Sequence, residues 1–241
     1  MKQMFISDLH LDPSLNFLRN GFLRFLKTEA QSADHLYILG DLFELWLGDD
    51  HKTKFNESII DALRTLPGQI FLMHGNRDFL IGDKFCADAQ VTLLRDPTRI
   101  QTSAGAALLL HGDSLCTRDR AYMEARKMLR SIEFRRDFLS KQLEERAVIA
   151  RQIRGESQSL KRETAMDIMD VTPEEVIRVL RDAQVSIMIH GHTHRPAVNS
   201  LTIDGKPAKR YVLGDWGNTM QYLLIEDEKP QLLNYDVGVP E

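Results

Sequence analysis

The chain is poor in cysteine, in long apolar runs and in net charge, and each shortage removes a class of protein. Two cysteines among 241 residues, Cys86 and Cys116, cannot build a disulfide framework, so a reducing cytoplasmic setting is expected. No apolar stretch approaches the roughly 20 residues needed to span a bilayer. The segment Met1–Asp8 holds one lysine and reaches a carboxylate too early for a secretion signal, so no leader is expected. A net charge of −4 argues against a general polyanion binder, and no nucleic-acid partner is expected. What is there, 43% hydrophobic and 27% charged residues, is ordinary globular composition and excludes a disordered or fibrous chain. The length suits one large domain, or one domain with a sizeable insertion.

Charge is unevenly spread. Between Thr117 and Arg162 thirteen Lys or Arg face seven Asp or Glu, a balance of +6, so the rest of the chain sums to −10. The same stretch is rich in helix formers and lacks proline, which predicts a helical insertion over 117–162 within a domain made of 1–116 and 163–241. Most charge runs are solvated helix faces. This one begins six residues after a candidate ligand, His111, which favours a role at the site.

Outside the insertion, short apolar strands alternate with helical stretches. Strands are expected at Lys2–Ser7, His35–Leu39, Gln69–Met73, Ala106–Leu110 and Val185–Ile189. Helices are expected at Leu15–Ala30, Glu57–Leu66 and Pro173–Arg181, the last with Thr172 as its cap. The final forty residues read as antiparallel strands with turns at Gly205 and Pro230. Alternation closed by a run of strands predicts a mixed α/β sandwich.

Each of the five strands ends in a polar loop: Asp8-x-His10, Gly40-Asp41, Gly75-Asn76, His111-Gly112 and Gly191-His192-x-His194. Strand carboxyl ends are where sites assemble in α/β sheets, and glycine lets backbone approach a ligand closely. In an extended loop, side chains at i and i+2 point the same way, so Asp8 with His10, and His192 with His194, are expected to converge. Carboxylate, imidazole and amide oxygen together suit Mn²⁺, Zn²⁺ or Fe²⁺. A carboxylate such as Asp41 can bridge two ions about 3.5–4 Å apart, the arrangement used for displacement at phosphorus. A lone His beside Gly is usually a turn or core residue; five such motifs in order are not coincidence.

This order of motifs resembles the calcineurin-like metallophosphoesterases over Asp8 to His194. The resemblance implies a four-layer α-β-β-α sandwich with a dinuclear metal centre. It implies Asp8, His10 and His194 as ligands of one ion, Asp41 as the bridge, and Asn76, His111 and His192 as ligands of the other. A metal-bridging hydroxide is then the nucleophile, and no side chain attacks. His35, His51, His74 and His190 take no ligand role, with His74 and His190 expected to support the ligands.

One departure bears on the substrate. The superfamily usually has His after Gly-Asn, placed to protonate a leaving group; here the loop reads Gly75-Asn76-Arg77-Asp78. Arginine holds its proton, with a pKa above about 12. A phosphate monoester, whose second pKa is about 6, leaves as an anion and needs no acid. Arginine also clamps phosphate oxygens with its planar fork. The substitution therefore favours a pyrophosphate substrate.

Longer strings narrow the resemblance: YILGDLFELWLGDD (Tyr37–Asp50), HGNRDFLIG (His74–Gly82), HGDSLCTRD (His111–Asp119), IMDVTPEEV (Ile168–Val176) and IHGHTHRPA (Ile189–Ala197). They are similar to the family of pyrophosphohydrolases that act on UDP-2,3-diacylglucosamine in lipid A biosynthesis. That resemblance implies two Mn²⁺ ions, UMP and 2,3-diacylglucosamine 1-phosphate as products, attack at the UMP-side phosphorus, and the insertion as a lid over the acyl chains. It implies substrate contacts from Asn76, Arg77, Asp119, Ser157, Lys161, Thr164 and His192. A monomer lying peripherally on the cytoplasmic face of the anionic inner membrane is expected, each Lys or Arg near that surface contributing about 1 kcal/mol. The competing readings are a phosphoesterase for another nucleotide diphosphate or nucleic acid, and a non-catalytic scaffold, which seven filled ligand positions argue against.

Thr164 stands where members of that family carry lysine, so either Lys161 or Arg162 supplies the missing charge or substrate binding is weaker. If the charge is compensated, Lys161→Ala and Arg162→Ala should raise the Michaelis constant in steady-state assays; an unchanged constant in both variants rejects the compensation.

Overall fold

The computed structural model describes residues 1–163 and 170–239, without the side chains of 156–163. Two sheets pack face to face. The first has strand order β11-β10-β1-β2-β3-β4 and the second β5-β6-β7-β9-β8. In chain order these are β1 (Gln3–Ile6), β2 (His35–Ile38), β3 (Gln69–Met73), β4 (Val91–Leu94), β5 (Thr98–Thr102), β6 (Gly105–Leu109), β7 (Ile187–His190), β8 (Ala197–Ile203), β9 (Lys206–Val212), β10 (Thr219–Glu226) and β11 (Lys229–Asp236). The helices are α1 (Asn16–Lys27), α2 (Lys54–Leu63), α3 (Asp83–Ala89), α4 (Arg120–Leu129), α5 (Ile132–Ser140), α6 (Leu143–Glu163) and α7 (Pro173–Ala183).

The layering follows from the two-residue period of a strand. In β1, Met4 and Ile6 face α1, α2 and α3, joining Phe22, Phe25, Ile59, Leu63 and Phe85 in one core. Phe5 points the other way, into a core between the sheets with Tyr37, Leu39, Leu109, Ile189 and Leu213. In β7, Met188 faces outward onto Val176 and Leu180 of α7. Both strands are buried on both faces, which gives the expected helix, sheet, sheet, helix order.

The parallel pairings matter most for the site. β1, β2, β3 and β4 run parallel in one sheet, and β6, β7 and β9 in the other. The carboxyl ends of β1, β2 and β3, and those of β6 and β7, therefore open together, and the His111 imidazole Nδ1 donates across the gap to the Leu39 carbonyl at 2.9 Å.

Several elements escape local reading. The segment from α3 through β5 and the strand β8 have no strong period; the sheets recruit them by edge pairing, β4 onto β3, β5 onto β6 and β8 onto β9. Helix α2 starts at Lys54, earlier than Glu57, because the Thr53 hydroxyl accepts the Asn56 N–H at 3.1 Å. Thr172 does stand at the cap of α7 without a side-chain capping bond; its hydroxyl instead accepts from Thr117 at 2.8 Å. Gly205 turns as expected, with φ 77°. Pro230 does not: the turn falls on Asp227 and Glu228, with φ 48° and 62°, and Pro230 pairs with Ile225 inside β11. Because β11 is an edge strand, a missing N–H costs the sheet little.

The stretch expected as an insertion contains α4, α5 and all but the last residue of α6. Arg146, only 5% exposed, seats it on the loop after β2. Its guanidinium binds both Asp50 carboxylate oxygens at 2.6 and 2.9 Å and the carbonyls of Leu47, Leu139 and Lys141 at 2.7–3.1 Å. Gly48 at φ 132° leaves room, since a Cβ there would meet the guanidinium. Among the described residues no helix is long and apolar enough to cross a membrane.

Phe25 is ringed by Trp216, Tyr222 and Tyr235, with centroids 5.2–5.7 Å away and edge-on geometry. Phe25→Ala should cost about 3–5 kcal/mol in urea unfolding followed by far-ultraviolet circular dichroism; a loss under about 1 kcal/mol would contradict a closely packed cluster.

Candidate metal centre

The five strand-end loops meet on one rim. The loops after β1 and β2 lie side by side, with the Asp8 N–H donating to the Gly40 carbonyl at 3.1 Å and the His10 N–H to the Asp41 carbonyl at 2.9 Å. The loop after β7 is stitched to the first by the His192 N–H, which donates to Asp8 Oδ2 at 2.8 Å. It is stitched to β6 by the Gly191 N–H on the His111 carbonyl at 2.9 Å. Gly75 and Gly191 are required here: a Cβ on the first would collide with the Asp41 carboxylate, and on the second with Asp8 and Ser7.

The loops are not extended, contrary to the i, i+2 expectation. Asp8, His10, Asp41, His192 and His194 all adopt left-handed backbone, with φ of 49–66°. That conformation disfavours residues with a Cβ by about 1–2 kcal/mol each. Strain concentrated on five residues of one rim marks a functional site held by its surroundings.

Two triads of ligand atoms result, each within 4.8 Å: Asp8, His10 and His194, then Asp8, Asp41 and His111. His194 Nε2 lies 3.4 Å from Asp8 Oδ1 and 3.3 Å from His10 Nε2. Asp41 Oδ2 stands between the groups, 3.9 Å from His10 Nε2 and 3.8 Å from His111 Nε2. Asn76 Oδ1 closes the second group, 3.1 Å from His111 Nε2 and 2.9 Å from His192 Nδ1. All seven expected ligand residues are brought together.

The electrostatics explain what such a cluster holds. Asp8 and Asp41 are 0% and 1% exposed. Burial pushes the Asp8 carboxyl up, but the nearby His194, His111 and His10 outweigh it and hold it well below the usual carboxylate range. Asp41 is raised, burial exceeding the pull of His111 and His10. Burial opposes charge on His111, yet Asp41, Asp8 and Asp113 lift it to about 9. Asp8 Oδ1 is buried and accepts no hydrogen bond. Buried anions, imidazole nitrogens aimed inward and an orphaned carboxylate oxygen are a fit for divalent cations.

Supporting residues complete the rim. Asp78 ties the loop after β2 to the loop after β3, accepting from the Leu42 and Gly75 N–H groups at 2.8 Å each. His74 donates to the Ile81 carbonyl at 2.7 Å. His190, fully buried, has its Nδ1 2.9 Å from the Gly191 carbonyl, and burial, helped by Arg210, pulls its pKa down to about 4. Buried Asp113 gathers α4: it accepts from Tyr122 at 2.9 Å, Arg126 at 2.8 and 3.2 Å, and Arg130 at 2.9 Å. Arg130 also donates to the Gly75 carbonyl at 3.0 Å. Asp78 and Asp113 lie beside ligand motifs in sequence, and that adjacency is the signal that could have singled them out.

Between the rim and the helices lies a cavity of about 210 Å³. Asn76, Arg77 and Asp119 line it, with an apolar wall that includes Leu129, Phe134 and Phe138. Asp119 also caps α4, accepting the Tyr122 N–H at 3.0 Å. Arg77 donates its backbone N–H to Asp41 Oδ1 at 2.8 Å, and its buried Nε has no hydrogen-bond partner. The expected substrate contacts at Ser157 and Lys161 fall on side chains outside the described residues, and Thr164 lies outside them altogether.

Residues 1–196 match the family model described as calcineurin-like phosphoesterase. Curated relatives named UDP-2,3-diacylglucosamine hydrolase match nearly end to end. The one from Ectopseudomonas mendocina (strain ymp) is 49% identical, covering 93% of this chain and 94% of the relative. That from Marinobacter nauticus is 46% identical, covering 98% of each, and that from Pseudomonas aeruginosa (strain UCBPP-PA14) is 51% identical, covering 90% of this chain and 91% of the relative.

Removing the Asp113 carboxylate leaves Arg126 and Arg130 facing a buried void. Asp113→Ala should lose about 3–5 kcal/mol of stability in urea unfolding at neutral pH. A loss below about 1 kcal/mol would mean that the arginines behave as exposed ion pairs.

Proposed function

The chain belongs to the calcineurin-like phosphoesterase family, and from that premise we propose that it hydrolyses the pyrophosphate bond of UDP-2,3-diacylglucosamine, giving UMP and 2,3-diacylglucosamine 1-phosphate. The observation that carries this reading is the cavity. Its polar end is formed by Asn76 and Arg77 at the metal centre, and its wall by Leu45, Phe79, Leu129, Phe134, Phe138 and Ile153. A phosphate-cleaving site opening onto an apolar chamber suits a diphosphate that carries acyl chains.

Divalent ions, which the donor set and the family indicate, supply Lewis-acid polarisation of the phosphoryl group and an acidified water when bound. Asp8, His10 and His194 would hold one ion, Asn76, His111 and His192 the other, and Asp41, lying between the two groups, would bridge them. We take the ions to be Mn²⁺, which the mixture of carboxylate, imidazole and amide oxygen suits.

The chain's own residues handle the substrate. Arg77 lines the cavity, and its buried Nε has no hydrogen-bond partner; its guanidinium would clamp a phosphate oxygen and stabilise charge without giving up a proton. Its inability to act as an acid suits a leaving group that departs as a phosphate monoester. Arg126, Arg130 and Arg154 line the same cavity and would balance the remaining diphosphate charge. Asp119, at its rim, would accept a hydrogen bond from the sugar or nucleotide; His192 would contact substrate as well as metal. Ser157, Lys161 and Thr164 complete the proposed binding set.

On this reading 117–162 is a lid over a domain of 1–116 and 163–241, seated by Arg146 and Asp113. The monomer rests peripherally on the cytoplasmic face of the anionic inner membrane. Supporting that placement, Met128 and Ile132 are 56% and 69% exposed beside exposed Lys127, Glu133, Arg136 and Asp137, an apolar tip within a charged rim.

Hydrolysis in ¹⁸O-water, with Mn²⁺ and detergent-dispersed UDP-2,3-diacylglucosamine, should yield labelled UMP, with turnover abolished by His10→Ala and Asp41→Ala. Label in the lipid phosphate would move the attack to the other phosphorus. Absence of turnover by metal-loaded protein would overturn the substrate assignment.

A further inference from the structure

Glu44 is a short, partly buried link between two parts of the molecule that have no sequence proximity. Its side chain is 13% exposed, on the loop after β2. The backbone puts it there: the loops after β1 and β2 pair in parallel, with a bridge between Leu11 and Phe43, and the Glu44 N–H donates to the Leu11 carbonyl at 3.1 Å. Glu44 consequently faces the outer edge of the His10 ring, with Oε2 2.7 Å from His10 Nδ1. The other carboxylate oxygen, Oε1, lies 2.5 Å from the Arg154 guanidinium of α6. Glu44 belongs to neither ligand triad, so its carboxylate acts from behind the imidazole.

We propose that Glu44 is a positioning residue that couples the lid helix α6 to the His10 end of the metal centre, with Arg154 as the lid-side partner. The proposal rests on the two-ion reading above. The carboxylate lies 2.7 Å from Nδ1 as an ion-pair contact, off the direction of a straight N–H hydrogen bond. It therefore acts chiefly by charge: it favours the proton on Nδ1 and leaves the Nε2 lone pair facing Asp8 and Asp41. Arg154 holds the carboxylate by its remaining oxygen, so the rotamer that aligns His10 is the one selected when α6 is seated. Glu44 and Arg154 both line the substrate cavity, which makes the link responsive to whatever fills it. Coupling of this kind is reciprocal: a filled cavity that seats α6 tightens the ion at His10, and an ion at His10 favours the seated lid.

The test is metal affinity of the full-length protein, stripped with chelator and titrated with Mn²⁺ while the electron paramagnetic resonance signal of the free ion is followed. Glu44→Ala should weaken one of the two ions by about 10–100-fold and leave the other near its original affinity. Glu44→Gln should lose less, because an amide oxygen keeps a polar group beside Nδ1 while giving up the charge. Arg154→Ala should weaken the same ion several-fold, although Arg154 belongs to neither ligand triad, and Arg154→Lys should restore part of it. Wild-type affinity for both ions in Glu44→Ala overturns the positioning role, and wild-type affinity in Arg154→Ala cuts the lid from the relay. If Glu44→Ala does not fold by circular dichroism, Glu44→Gln and Arg154→Ala decide. Wild-type protein that takes up no Mn²⁺ would instead defeat the two-ion reading beneath the proposal.

Discussion

Asp8 and Asp41, both within 1% of full burial, place two carboxylates at the meeting point of two sheets. An ionised carboxylate taken out of water loses several kcal/mol of solvation even after relaxation, so the rim must answer with positive charge. The imidazoles of His10, His111 and His194 surround the pair, and His111 is driven up to about 9 by Asp41, Asp8 and Asp113 against the cost of burial. Divalent ions meet the same demand with more charge in less volume. The left-handed backbone at five ligands, the glycines that admit carboxylates against the main chain and the Asp78 brace all serve that concentration of charge.

The same logic extends outward through the helices. Arg146 on Asp50, Arg126 and Arg130 on Asp113 and Arg154 on Glu44 fasten the basic helical segment at separate points. Much of its positive charge is thus spent on named carboxylates of the sandwich, and the local excess noted in the sequence is not simply a solvated face. Three of these paired arginines, Arg126, Arg130 and Arg154, also line the cavity beside its apolar wall. A surface that joins a phosphate-binding end to Phe134 and Phe138 has two chemistries to match, and an acylated sugar nucleotide has both.

Much of this was legible before any coordinates. Asp8, His10, Asp41, Asn76, His111, His192 and His194 were readable because each follows a short apolar strand and stands beside glycine or another ligand, so one local pattern marks both a strand end and a donor. Pro230 misled, because its turn propensity is local whereas its place on an edge strand is not. The extended i, i+2 picture of the ligand loops failed for a related reason: left-handed backbone at Asp8 or His194 is unfavourable for an isolated loop and persists only where the surrounding hydrogen bonds, such as His192 N–H on Asp8, overdetermine it.

The sequence by itself determined the kind of donor, its order along the chain and the strand that carries it, because strand period and ligand chemistry act over a few residues. Only the tertiary structure decided which donors share an ion-sized space, which carboxylate stands behind which histidine and which arginine holds it. His10, Glu44 and Arg154 are brought together by parallel pairing of two loops and the seating of a helix 99 residues beyond Leu47, whose carbonyl Arg146 grips. Interactions of that span leave no local imprint, since a glutamate that orients a metal ligand and one that faces water satisfy the same helix, strand and turn preferences.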